Sequence, residues 1–152
     1  MKLTEYKDIN KSEIDLLKDL WYKNLEYHYE NEKHFKNQYK NLSFEKRMES
    51  IFENAEKIKI TIVVENETPV GYCISKIGNN EGEVMSLHVL ETKRGSGIGK
   101  KLTQLHLDWL KENNCSVIGL YAASENYKTI KFYEQFGLKV NMVYMQIPDQ
   151  EN

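Results

Sequence analysis

Apolar positions along this chain alternate between two spacings. Ile14, Leu17, Trp21 and Leu25 recur every three or four residues. That is the period of a helix with one covered face, and it predicts a helix over 13–29 capped by Asn10 or Ser12. Residues 31–41 are polar and show no period. Ser43 then precedes a second helical stripe of Phe44, Met48, Ile51, Phe52 and Ala55. Residues 58–65 are β-branched, 66–69 read as a turn, and 70–77 are again strand-like, which makes a hairpin. Gly78, Asn79 and Asn80 turn the chain into a further strand at 83–90. Ile98, Leu102, Leu105 and Trp109 predict a helix with that stripe buried, ended by Asn113 and Asn114. The rest reads as a strand at 116–122, a helix at 126–136 stopped by Gly137, and a last strand at 139–147. A first strand at 2–6 completes the order. Meander strands followed by alternating helices and strands imply a mixed α/β sheet with helices on both faces.

The segment Arg94-Gly95-Ser96-Gly97-Ile98-Gly99, followed by Lys100 and Lys101, joins a predicted strand to a predicted helix. Glycines let a backbone approach a phosphate closely. A helix N-terminus offers unpaired N–H groups and a favourable dipole for negative charge. The turn therefore reads as a pyrophosphate cradle, or else as an ordinary loop ahead of a helix. Neither common phosphate fingerprint fits. The nucleoside-triphosphate loop needs one more residue before the lysine and a Ser or Thr where Leu102 stands. The dinucleotide fingerprint needs a third glycine where Lys100 stands, early in the chain.

A third pattern does fit. Arg94, Gly97 and Gly99 match [RQ]-x-x-G-x-[GA] position by position, and the turn resembles the acetyl-coenzyme-A loop of the GNAT family of N-acetyltransferases. Upstream, 84–89 is similar to the strand that leads into that loop. Downstream, Asn126 followed by Ile130, Phe132, Tyr133, Glu134, Phe136, Gly137 and Leu138 is similar to the family's N-x-x-A-x-x-F-Y-E-x-x-G-F segment. The resemblance covers about 58–140. It implies a mostly antiparallel sheet whose fourth and fifth strands splay apart, with pantetheine in the gap. One departure is that a single nine-residue stretch follows the last helix where many members have two strands. That leaves the far wall of the acceptor pocket and any homodimer contact open.

The resemblance also implies roles. Gly95, Ser96, Gly97, Ile98, Gly99 and Lys100, with Arg94, would hold the pyrophosphate. A bulge near the end of the fourth strand would free amides around Leu87, His88 and Val89 for the pantetheine and the acetyl oxygen. Asn126 would contact the cofactor, although Asn also suits a helix N-cap. Tyr133 would protonate the departing thiolate, although it also reads as a core aromatic on the face shared by Thr129, Phe132 and Phe136. Glu83 is the candidate base, with a solvent-facing strand residue as the other reading, and His88 is an alternative base. Alternation places Glu83, Met85 and Leu87 on one face and Val84, Ser86 and His88 on the other. His28 and His34 read as surface residues and His106 as structural.

Composition narrows the picture. The 152 residues are 40 % hydrophobic and 29 % charged, with net charge −2, the size and balance of one globular domain. No global field draws the chain to nucleic acid or anionic lipid, so Lys93, Arg94, Lys100 and Lys101 read as a local anion site. Cys73 and Cys115 have no metal spacing and read as free buried thiols in a reducing cytoplasm. No membrane span and no metal site are expected. Acidic and aromatic residues of the first helices, Tyr22, Glu26, Tyr27, His28, Tyr29, Glu30, Glu32 and Phe35, suit a cationic amine, whether a small molecule, an amino acid or a peptide. The expected activity is acetyl transfer from acetyl-CoA to such an amine in a ternary complex. A non-catalytic acyl-CoA-binding domain is the alternative.

Overall fold

The computed structural model describes residues 3–124 and 126–150. Strand β1 (Thr4–Asp8) leads into a 3-10 turn (Lys11–Leu17) and helix α1 (Lys18–Asn31). A second 3-10 turn (Lys36–Tyr39) precedes α2 (Phe44–Glu53). Strands β2 (Lys57–Glu65), β3 (Thr68–Gly78) and β4 (Glu81–Val89) form a meander. Then come α3 (Ile98–Glu112), β5 (Val117–Leu120) and α4 (Tyr127–Glu134). The sheet order is β1-β2-β3-β4-β5. Its first four strands are antiparallel and β5 runs parallel to β4.

Local chemistry sets the boundaries. The Asn10 side chain accepts from the Ser12 N–H at 3.0 Å while the Glu13 carboxylate accepts from the Asn10 N–H at 3.3 Å, a reciprocal capping box. The Ser43 hydroxyl caps α2 through the Lys46 N–H. Both hairpin turns use two left-handed residues, Asn66 and Glu67 in one, Asn79 and Asn80 in the other. That conformation matches the twist of the flanking strands. The predicted residue Lys2 lies outside the described residues.

Two cores cover the sheet. Leu17, Leu20, Trp21, Phe44, Met48 and Ile51 pack on Ile60, Ile62, Tyr72 and Ile74 from one side. Ile98, Leu102, Leu107 and Leu110 pack on Val63, Cys73, Ile77, Val84 and Val89 from the other. A buried polar chain sits in the second layer. His106 Nδ1 lies 2.7 Å from Ser75 Oγ and Nε2 lies 2.9 Å from Thr61 Oγ1. The Thr61 hydroxyl donates to Asp8 Oδ1 at 2.7 Å, so its oxygen must accept from His106 Nε2–H. Nδ1 then accepts from Ser75.

Three expectations need correction here. The α3 stripe is rotated: Leu105 is exposed and Trp109 half-buried, while Ile98, Leu102, His106 and Leu110 face the sheet. His106, expected to be structural, takes a core position with both ring nitrogens satisfied. Cys115 is only partly buried. The strand expected at 139–147 does not form. Its end is bonded to the 34–37 loop, where the Asp149 N–H donates to the His34 carbonyl at 2.9 Å and the Asn37 N–H donates to Asp149 Oδ2 at 2.7 Å.

Candidate active site

Strands β4 and β5 pair only from Glu81↔Val117 to Val84↔Leu120. Beyond Val84, β4 continues to Val89 and β5 has ended. The sheet therefore opens into a gap beside Met85–Val89, and β4 delivers the chain from that gap into the glycine turn.

The β3–β4 register shifts between Ile74↔Ser86 and Ser75↔Val84, leaving Met85 as the extra residue. The bulge is thus at Met85, upstream of the expected 87–89. It also reverses the expected alternation. Ser86 and His88 pair with Ile74 and Tyr72, and so share the α1 face with Glu83, the partner of Lys76. Leu87 pairs with Cys73 and joins Val84 and Val89 on the α3 face. An inserted residue breaks period-two counting.

The turn itself has the geometry of a cradle. Gly95 and Gly97 have φ of +80° and +89°, and a Cβ built on either meets nothing within 4 Å. The first α3 bond runs from the Lys101 N–H to the Gly97 carbonyl at 3.0 Å. The amides of Ile98, Gly99 and Lys100 therefore lie ahead of the helical ladder. Gly99 packs near Phe132 of α4. Ser96 Oγ donates to the Lys93 carbonyl at 2.5 Å, bracing the turn.

The four expected cations disperse. Lys93 pairs with Glu65 at 2.5 Å, and Lys101 lies 4.2 Å over the Tyr6 ring. The Arg94 guanidinium sits 4.6 Å from the Tyr27 ring centre while its Nε–H donates to the Val89 carbonyl at 3.1 Å. Lys100 is exposed at the start of α3.

On the α1 face, His88 is buried. Desolvation first, then the charges of Arg94, His28 and Lys23, push its imidazole down to about 4. His28 is also lowered, by burial and then Arg94, and stacks on Tyr39. It is half-buried, not a free surface residue, whereas His34 is exposed. Tyr72 Oη lies 2.8 Å from Ser86 Oγ. Alternation put Ser86 and His88 on one face but opposite Glu83, and nothing local pointed to their partner Tyr72.

Tyr133 is half-buried on α4 beside Phe132, with ring centres 5.2 Å apart. Burial, and then proximity to Cys73, raises its pKa above the ordinary phenol value. Asn126 caps α4, accepting from the Thr129 N–H at 3.3 Å. It also lines a cavity of about 300 Å³ with Tyr27, His28, Glu32, Tyr39 and Tyr127. A shallower cavity of about 480 Å³ lies against Tyr22, Leu25, Glu26, Tyr29 and Tyr39. Helix α1 thus divides the acidic and aromatic residues between two hollows. Among the described residues no cluster could hold a metal ion, and no helix is long and apolar enough to cross a membrane.

Residues 16–138 match the model of the acetyltransferase (GNAT) family. The chain belongs to the GNAT family. Over 63 residues it is 35 % identical to a mycothiol acetyltransferase of Corynebacterium jeikeium, covering 41 % of this chain and 18 % of that protein. Over 58 residues it is 38 % identical to an uncharacterized N-acetyltransferase of Archaeoglobus fulgidus, covering 38 % and 40 %. The chain therefore spans well under half the length of these curated relatives. Its fold matches the solved structure of a protein assigned as an acetyl transferase from Pyrococcus furiosus, with TM-score 0.75, 21 % identity, and 97 % and 100 % of the two chains covered. It also matches an aminoglycoside N-acetyltransferase in complex with CoA, with TM-score 0.67, 15 % identity, and 96 % and 95 % covered. The open sheet with helices on both faces is the fold these GNAT structures share.

Proposed function

We propose that this GNAT protein is an N-acetyltransferase that uses acetyl-CoA, and that its acceptor is a cationic primary amine. The observation that carries the reading is the opening between β4 and β5, which empties into the Gly95–Gly99 turn. The residues present fit the cofactor's chemistry. Open space stands over two left-handed glycines, and three α3 amides lie ahead of the ladder where a pyrophosphate would sit. Lys100 adds countercharge. Binding energy from that remote end positions the reacting end. Acetyl-CoA supplies a thioester acetyl group.

The chain's residues then divide the work. The β4 edge beyond the bulge, Leu87 to Val89, offers backbone groups to the pantetheine and to the acetyl oxygen. Asn126, which caps α4 and lines the smaller cavity, would contact the cofactor. Tyr133, protonated as a phenol is at neutral pH, would donate its proton to the departing sulfur. An ordinary amine with pKa near 10.4 costs about 4–5 kcal/mol to present in its neutral form at pH 7, so a proton acceptor assists. Glu83 lies on the α1 face with Ser86 and His88 and is the assigned base. His88, neutral by burial, is the alternative acceptor on that face. Tyr22, Glu26 and Tyr29 offer aromatic faces and a carboxylate to a cation, which supports the cationic acceptor.

Calorimetric titration with acetyl-CoA, with NADH and ATP as controls, tests the reading. One-site binding that Gly97→Glu abolishes, followed by turnover of a cationic amine, is the expected result. Binding without turnover across a panel of amines would leave an acyl-CoA-binding domain. Turnover of neutral arylamines alone would overturn the cationic acceptor.

A further inference from the structure

The resemblance gives Arg94 to the pyrophosphate, and its backbone stands at the head of the glycine turn. Its side chain is engaged elsewhere. One edge of the guanidinium donates through Nε–H to the carbonyl of Val89, the last residue of β4, at 3.1 Å. Its face covers the Tyr27 ring of α1, 4.6 Å from the ring centre. A single side chain of the turn therefore ties the open end of β4 to helix α1.

Tyr27 is the first of a series of rings. Its centre lies 5.7 Å from that of His28, with the planes at 72°. The His28 ring stacks on Tyr39, with centres 5.6 Å apart and planes within 14° of parallel. Arg94, Tyr27, His28 and Tyr39 thus form a row of planar groups running from the glycine turn to the 36–39 turn. The three rings line the cavity of about 300 Å³ that also meets Asn126, and Tyr39 lines the larger hollow as well. Packed rings hold one another in preferred orientations, so a shift at Tyr27 passes along the row. His88 of β4 lies close enough to feel the charges of both Arg94 and His28.

The chemistry of the contact calls for arginine. A planar guanidinium presents a face to a ring and an N–H edge to a carbonyl at the same time, whereas an ammonium is a compact point charge. Countercharge for a phosphate is something a lysine supplies equally well.

We infer that Arg94 is a positioning residue for the amine acceptor: it holds Tyr27, and through Tyr27 the aromatic wall of the smaller hollow, against the end of β4. The pyrophosphate is left to the turn amides and Lys100. This role rests on the acetyltransferase reading and adds to it a path by which the cofactor turn shapes the acceptor's seat.

Steady-state kinetics of the full chain at saturating acetyl-CoA, with 1,4-diaminobutane, phenethylamine and lysine methyl ester as acceptors, test it beside calorimetric titration with acetyl-CoA. Arg94→Gln should raise the KM of the amine turned over about tenfold, because an exposed cation–π contact and a hydrogen bond are lost. Its Kd for acetyl-CoA should stay at the wild-type value. Arg94→Lys should do no better than Gln, since it keeps the charge and loses the fork. Tyr27→Leu should give the same rise in KM, and combining it with Arg94→Gln should add nothing further. Tyr27→Phe keeps the ring and should restore the wild-type KM, which a folding defect would not allow. In the resting protein the Arg94 Hδ resonances should be shifted upfield by the Tyr27 ring and return to ordinary positions in Tyr27→Leu. Loss of acetyl-CoA affinity in Arg94→Gln that Lys restores would return Arg94 to the pyrophosphate and overturn this role, with the acetyltransferase reading intact. An unchanged amine KM, additive losses or unshifted Hδ resonances would overturn it too. Wild-type protein that binds no acetyl-CoA, or acetylates none of the three amines, would overturn both.

Discussion

Replacing His106 by Gln tests the buried polar chain. His106 has no exposed surface. Desolvation, with the Lys59 charge next, pushes its imidazole from the ordinary 6.5 down to about 3, while Asp8 opposes. The folded state therefore holds His106 neutral where the unfolded chain would protonate it. Between these two values the unfolded state binds more protons, so stability rises with pH. The contribution of neutral burial is complete above about pH 6.5 and is lost as pH falls from there toward 3. At pH 5.0 an unfolded imidazole lies about 1.5 units inside its charged range, which is worth ~2 kcal/mol. That figure barely changes if the folded value is a unit higher, because at pH 5.0 the native imidazole is neutral either way. Urea denaturation at about pH 7.5 and 5.0, at fixed protein concentration, measures it. His106→Gln should be less stable near neutrality, by about 1–3 kcal/mol for disturbed buried hydrogen bonds. Its loss on acidification should be ~2 kcal/mol smaller than the wild type's. Carboxylates titrate in both proteins and cancel. Equal acid losses in the two proteins would refute the reasoning.

Gly82→Ala should cost about 1–3 kcal/mol by overpacking, because the new Cβ would stand 2.6 Å from Leu110 Cδ2 and 3.1 Å from Cys115 Sγ. Thermal unfolding reads this, and an unchanged midpoint would contradict the packing. Asn10→Ala should cost about 1 kcal/mol through loss of the capping box, again by urea denaturation. Tyr133→Phe should lower kcat about a hundredfold or more with acetyl-CoA affinity nearly unchanged. A wild-type kcat would remove Tyr133 from the chemistry.

Much of this molecule is legible in its sequence because many signals are local. Asn10, Ser43, the paired left-handed turn residues and Gly97 announce boundaries through their own backbone chemistry. The turn before α3 was legible for the same reason, since Gly95 and Gly97 take the left-handed conformation that glycine favours. Non-local features escaped. The bulge at Met85 depends on how β3 and β4 align, so period-two counting misplaced Leu87, Ser86 and His88. Leu105 fell out of the core because His106, a polar residue in any pattern, is satisfied by Ser75 and Thr61 from two other strands. Lys93 left the phosphate cluster for Glu65, 28 positions away. The stretch at 139–147 reads as a strand, but a strand needs a neighbour that the pattern cannot supply.

The bulge gives β4 two phases. Before Met85 the odd position 83 faces α1; after it the even positions 86 and 88 do. Were Met85 instead paired in the ladder, with no residue left over, every later residue would move one place along β3. Val89 would swing to the α1 side and His88 would pass to the layer beneath α3. Whether one residue bulges therefore decides whether an imidazole or an isopropyl group lies on the α1 face. The register of this strand determines that face as much as the identity of any side chain on it.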